Sequence, residues 1–119
     1  MRRILLFAYG TLLDHAVQRR VFGRPVNSAG ARLAGWAVRA RMVRGRYPGI
    51  ERAAGAAAPG RVLELGRGDL GRADAYEDAP RLYRRRRMRV RRAHRTLAAW
   101  VYVPTVRSRA GLRSRRGRA

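Results

Sequence analysis

Ile4-Leu5-Leu6-Phe7-Ala8-Tyr9-Gly10-Thr11-Leu12-Leu13-Asp14 is the stretch on which the fold turns. Its opening, Ile4 to Tyr9, is almost wholly apolar and reads as a strand buried on both faces. Gly10 ends the run. Asp14 then stands where a helix from about His15 to Phe22 needs an N-cap, and Gly23 stands where that helix should close. Gly10 removes a side chain where backbone could meet a ligand closely. The N–H groups of Gly10, Thr11 and Leu12 would point outward together, an arrangement that suits a carboxylate or a developing oxyanion. An ordinary strand-to-helix turn carries the same signals, and this segment alone does not separate the two readings.

Working outward, Ala31 to Val43 reads as one or two strands with a break near Gly35, anchored by Leu33, Trp36 and Val38. Tyr47-Pro48-Gly49-Ile50 is a turn signal leading into a strand. Ala53 to Gly60 is small and loop-like. Arg61 to Leu65 alternates as a strand, with Leu63 and Leu65 on one side. Gly68 to Asp78 is the clearest helix, with Asp69 as its expected cap and Pro80 as its stop. Leu82 to Arg92 and Thr96 to Val103 read as two further strands before Pro104. Short strands with two short helices predict an α+β domain built round a small mixed β-barrel flanked by short helices.

The chain has 119 residues, enough for one core but not two. The domain is expected over residues 1–104. Residues 105–119 carry few large apolar groups and are expected to form an Arg-rich, disordered tail. The net charge is +22, and every basic residue is Arg. Absence of Lys beside abundant Ala and Gly points to a GC-rich coding bias, since phosphate binding alone would retain both cations. The acids all lie before residue 79, so the Arg-rich C-terminal region could bind a polyanion incidentally.

There is no Cys, which excludes disulfides, a zinc finger and a cysteine nucleophile. No stretch is long enough to span a membrane as a helix, and a cytoplasmic location is expected. His15 reads as an exposed helix residue and His94 as a turn residue.

Asp74-Ala75-Tyr76-Glu77-Asp78 is the second candidate constellation. Glu77 shares a helix side with Leu70, so it can face inward at the helix end. A half-buried carboxylate has a raised pKa and can serve as general base near neutral pH. A solvated acidic surface balancing nearby Arg is the competing account.

Several pieces occur in order: Tyr9-Gly10-Thr11-Leu12, Tyr47-Pro48-Gly49-Ile50, Gly60 to Leu65, Asp74-Ala75-Tyr76-Glu77, Tyr83 with Arg85 and Val90, and Ala99 to Val103. Together they resemble the gamma-glutamylcyclotransferase-like (AIG2-like) family over about residues 4–103. The resemblance implies a small barrel flanked by helices with one cavity. It implies that Tyr9, Gly10, Thr11 and Leu12 bind the substrate's glutamyl end, that Tyr47 and Tyr102 also contact substrate, and that Glu77 is the catalytic acid/base. The implied reaction releases 5-oxoproline from a gamma-glutamyl amine or amide, with no cofactor and no metal, in a monomer or homodimer.

This chain departs from the family's usual pattern at Ala73, where a large aliphatic residue is common. It departs again at Asp78, where Gly often follows the Glu, and in the basic run Arg84 to Arg87. Relatives differ widely in substrate, and some have no established activity. A non-catalytic family member that binds a small ligand is one alternative reading. A basic protein that binds nucleic acid without sequence preference is the other.

Overall fold

The computed structural model describes residues 3–109. The elements run β1 (Ile4–Ala8), a 3-10 turn (Thr11–Leu13), α1 (His15–Phe22), β2 (Ser28–Val43), β3 (Tyr47–Leu65), α2 (Asp69–Glu77), β4 (Tyr83–Arg92) and β5 (Arg95–Pro104). The strands close into a barrel in the order β1-β3-β2-β4-β5. Only the β1–β5 pairing is parallel, with Leu6 opposite Trp100 and Phe7 opposite Val101. The fold is therefore the small mixed α+β barrel anticipated from the sequence.

The apolar run at the N-terminus becomes a strand buried on both faces because two separate clusters need it. Phe7 points into the barrel with Leu33, Trp36, Ile50, Val62 and Val101. Leu6 and Ala8 point outward, beneath the helices, with Leu12, Phe22, Leu63 and Ala73. Each large side chain buried this way contributes about 1.5–3 kcal/mol. α1 takes its expected limits: the Asp14 side chain accepts from the Ala16 N–H, and Gly23 closes the helix in the left-handed region.

Other boundaries differ. Ala53 to Gly60 is not a loop but part of β3, with Ala57 opposite Ala34 and Gly60 opposite Ala31. A ladder satisfies the backbone whatever the side-chain size, and at Gly60 close packing also requires the absence of a side chain. A Cβ on Gly60 would lie 2.3 Å from the Ala8 carbonyl oxygen. Gly35 does not split β2; it produces a register shift between Ala34 and Trp36 inside one strand. The tight turn lies at Arg44 to Arg46, with Arg44 and Gly45 at positive φ, so Tyr47 opens β3 rather than preceding it.

Asp69 is not the cap of α2. Gly68 occupies that position, and the Asp69 carboxylate, 2% exposed, accepts from the Gly66 N–H and from Arg24 and Arg72. Its hydrogen bond from Arg24 holds the carboxyl below its usual range. α2 stops at Glu77, before Pro80, because Asp78 turns into the left-handed region (φ 56°).

The expected tail starting at 105 also needs revision at its beginning. Residues 106–109 are helical. Ser108 is 3% exposed, its N–H and hydroxyl donate to Thr105, and its carbonyl accepts from the Arg44 N–H. The remainder of that predicted tail, 110–119, lies outside the described residues.

Candidate functional site

A cavity of about 440 Å³ opens between the end of β1, the start of β3 and the C-terminal end of α2. Tyr9, Gly10, Thr11, Leu12, Tyr47, Tyr102 and Glu77 all line it, so every site residue selected from the sequence is brought to one place. They come from across the chain because β1 lies between β3 and β5 in the barrel.

The loop after β1 forms one wall. Gly10 packs against Pro48, whose Cγ would sit 3.0 Å from an added Cβ. Leu13 and Asp14 donate their N–H groups to Gly10 and Thr11, closing the 3-10 turn. The earlier N–H groups of such a turn have no intrahelical acceptor. Leu12 is buried, and its carbonyl accepts from the buried Gln18 amide, which also receives the Val26 N–H. The loop is thereby fixed from behind. Thr11 and Tyr76 share a hydroxyl–hydroxyl hydrogen bond of 2.6 Å, joining this wall to α2.

Glu77 forms the opposite wall. Ala73, one turn earlier, is completely buried, and Leu70 packs against the same cluster. Residues four and seven apart share a helix face, so packing of Leu70 and Ala73 draws Glu77 inward. Its side chain is half-buried, and burial raises its pKa from 4.5 to about 7. Its position at a helix C-terminus acts in the same direction, because the carbonyl end of a helix disfavours negative charge. Among the described residues no hydrogen bond or ion pair engages this carboxylate.

Asp74, one turn before Glu77, is engaged on all sides. Arg85 donates to both its oxygens at 2.6 and 2.9 Å, and Tyr102 donates to Oδ1 at 2.7 Å. Tyr9 in turn donates to the Tyr102 carbonyl at 2.5 Å, and Tyr83 to the Pro48 carbonyl at 2.6 Å. Burial is the main reason that Tyr9, Tyr83 and Tyr102 all have phenol pKa values above the usual one. At neutral pH they remain protonated donors. The two acids three apart on α2 therefore separate in role: Asp74 fixes the helix to β4 and β5, while Glu77 is left unengaged.

The sequence did not single out Pro48, Tyr76, Asp78, Arg81, Leu82 and Tyr83 as lining residues. Asp78 binds Arg81 at the rim, and their spacing of three was the available signal. Among the described residues no three His, Asp or Glu side chains cluster as a metal site.

A family model described as gamma-glutamyl cyclotransferase, AIG2-like, matches residues 6–117. Among solved structures, one from Arabidopsis thaliana superposes with a TM-score of 0.75 at 22% identity, over 87% of this chain and 63% of the other. This chain thus spans less than two thirds of that protein's length. A structure described as a gamma-glutamyl cyclotransferase gives 0.74 at 19% identity, over 87% and 68%. An AIG2-like protein from Mus musculus gives 0.65 at 19%, over 88% and 79%. At these identities the likeness is one of fold. No curated protein matches the sequence.

Proposed function

The chain belongs to the gamma-glutamyl cyclotransferase, AIG2-like family, and from that premise we propose that it releases 5-oxoproline from a gamma-glutamyl amine or amide, with Glu77 as general acid and base. One observation carries this reading: a half-buried carboxylate, unengaged among the described residues and with a pKa near 7, faces the Gly10 loop across a cavity large enough for a small substrate.

A gamma-glutamyl amide contains its own nucleophile. The α-amine attacks the γ-carbonyl carbon, a new C–N bond closes a five-membered ring, and a tetrahedral intermediate forms. Glu77 takes one proton from the attacking amine and returns it to the leaving nitrogen as the original C–N bond breaks. Atoms balance with 5-oxoproline and a free amine as products. The step is intramolecular, so holding the glutamyl chain folded removes much of the barrier. In this reading the N–H groups of Gly10, Thr11 and Leu12 hold the substrate carboxylate or the developing oxyanion. Tyr9 and Tyr102 keep the wall rigid through their mutual hydrogen bond. Tyr47, exposed at the mouth, contacts the leaving portion.

The test is release of 5-oxoproline from a panel of gamma-glutamyl peptides and amines by wild type and Glu77→Gln. Turnover by wild type with a loss of 100-fold or more in the variant is expected, in the range for removing a general acid/base. Turnover that survives the substitution would remove Glu77 from the chemistry.

A further inference from the structure

Strand register places five arginines on one uncovered face of the barrel. Arg32 on β2 is directly opposite Arg91 on β4. Residues paired across a ladder share a face, as do residues two apart on a strand. Arg87 and Arg89 therefore lie on the same side as Arg91. Gly30, two before Arg32, pairs with Arg61 on β3, which extends the row to a third strand. The intervening β4 residues Met88 and Val90 point into the barrel core, so these arginines point outward. Further along β3 the same face continues as Leu63 and Leu65, which lie beneath the helices. The helices stop short of the arginines, all five of which are exposed.

Arg61 is held at one end of the row, donating to the Ser28 hydroxyl and carbonyl at 2.8 and 3.2 Å, but these hydrogen bonds do not offset the repulsion between the guanidiniums. Like charges directly opposite across a ladder are destabilising. Among the described residues no acid pairs with any of the five: the ion pairs of Asp69, Asp74, Asp78, Glu51 and Glu64 involve other arginines. Trp100 holds the Arg87 guanidinium over its ring at 5.4 Å, which orders the end of the row. Coding bias accounts for Arg rather than Lys, but not for an unneutralised row in register across three strands.

We propose that this face of β4, β2 and β3 binds the phosphate backbone of a single-stranded nucleic acid, without sequence preference. Guanidinium groups present planar donor pairs to phosphate oxygens. Side chains on one strand face recur about every 6.6 Å, which suits a backbone with regularly spaced charges. A lipid surface fits less well, because Trp100, which shares this face, is only partly exposed and lies beneath the Arg85 and Arg87 guanidiniums, while the exposed large apolar side chains among the described residues, Tyr47, Tyr76 and Val106, lie elsewhere. The face is separate from the cavity and shares no residue with it.

Fluorescence anisotropy of the full chain with a labelled single-stranded 20-nucleotide RNA tests this. The variant Arg32→Gln/Arg89→Gln/Arg91→Gln is compared with Arg19→Gln/Arg20→Gln/Arg41→Gln, which removes equal charge from exposed positions elsewhere. The face variant should weaken binding by at least tenfold at moderate salt. It should also reduce the slope of log affinity against log salt by about 2, the share of three phosphate contacts on a single strand. The control should retain the wild-type slope. Equal effects of both variants would mean a diffuse charge effect and overturn the assignment. An unchanged face variant would overturn it too, as would binding to phosphatidylserine vesicles with none to RNA.

Discussion

Replacing Glu77 with Gln should make the protein more stable, and only at higher pH. Burial raises the Glu77 pKa from 4.5 to about 7. Between those values the folded chain holds a proton that the unfolded chain has released. Stability supplied by this group is thus fully present below about pH 4.5 and is lost as pH rises through 7. A shift of this size corresponds to at most about 3 kcal/mol. Gln is neutral throughout and close in shape to protonated Glu. Wild type and variant should therefore unfold nearly alike in urea at about pH 3.5, below the unfolded-state pKa. At pH 8 the variant should be more stable by up to about 3 kcal/mol, or on the order of 10 °C in Tm for a domain of this size. Urea titrations at the two pH values, with m-values compared, measure the gap directly. Parallel pH curves, or a variant less stable at pH 8, would refute a carboxylate held uncompensated in the cavity wall.

The same ionisation predicts the pH dependence of turnover: kcat/KM should fall about tenfold per unit as pH drops below about 7, read from initial rates of 5-oxoproline release. Tyr102→Phe removes a hydrogen bond to the Asp74 carboxylate and should cost about 1.5 kcal/mol in urea unfolding. Gly60→Ala forces a Cβ against the Ala8 carbonyl and should destabilise by about 1–3 kcal/mol by the same assay. Gly10→Ala brings a Cβ to 3.0 Å from Pro48 and should lower turnover more than it lowers stability, since the strain falls on the loop lining the cavity.

Local chemistry carried some elements completely. Asp14 and Gly23 bracket α1 because a cap and a left-handed terminator act within a few residues. The inward turn of Glu77 followed from helical spacing with Leu70. Ala53 to Gly60 looked like a loop because small residues have low strand propensity. Its strand state depends on pairing with residues of β2, more than twenty positions away. Asp69 looked like a cap because short acids favour that role, yet its carboxylate is held by Arg24 across 45 residues. For the cavity, the loop at Gly10 and the acid at Glu77 were both legible. What distinguishes Glu77 from Asp74 was not, because it depends on Arg85 and Tyr102 reaching Asp74 through the folded barrel.

Tyr9 and Tyr102, joined by a hydrogen bond, stand 93 positions apart. β1 pairs with β5 as well as with β3. During synthesis, the Gly10 loop leaves the ribosome well before β5, the strand that brings Tyr102 to the same cavity. Until then the Tyr102 carbonyl that accepts from Tyr9 in the folded barrel is absent, and the cavity beside Glu77 lacks Tyr102. Completion of the cavity is therefore a late event in the life of each molecule, reached together with barrel closure. If the proposed reaction holds, nascent chains halted within β4 should carry both the Gly10 loop and Glu77 and still release no 5-oxoproline.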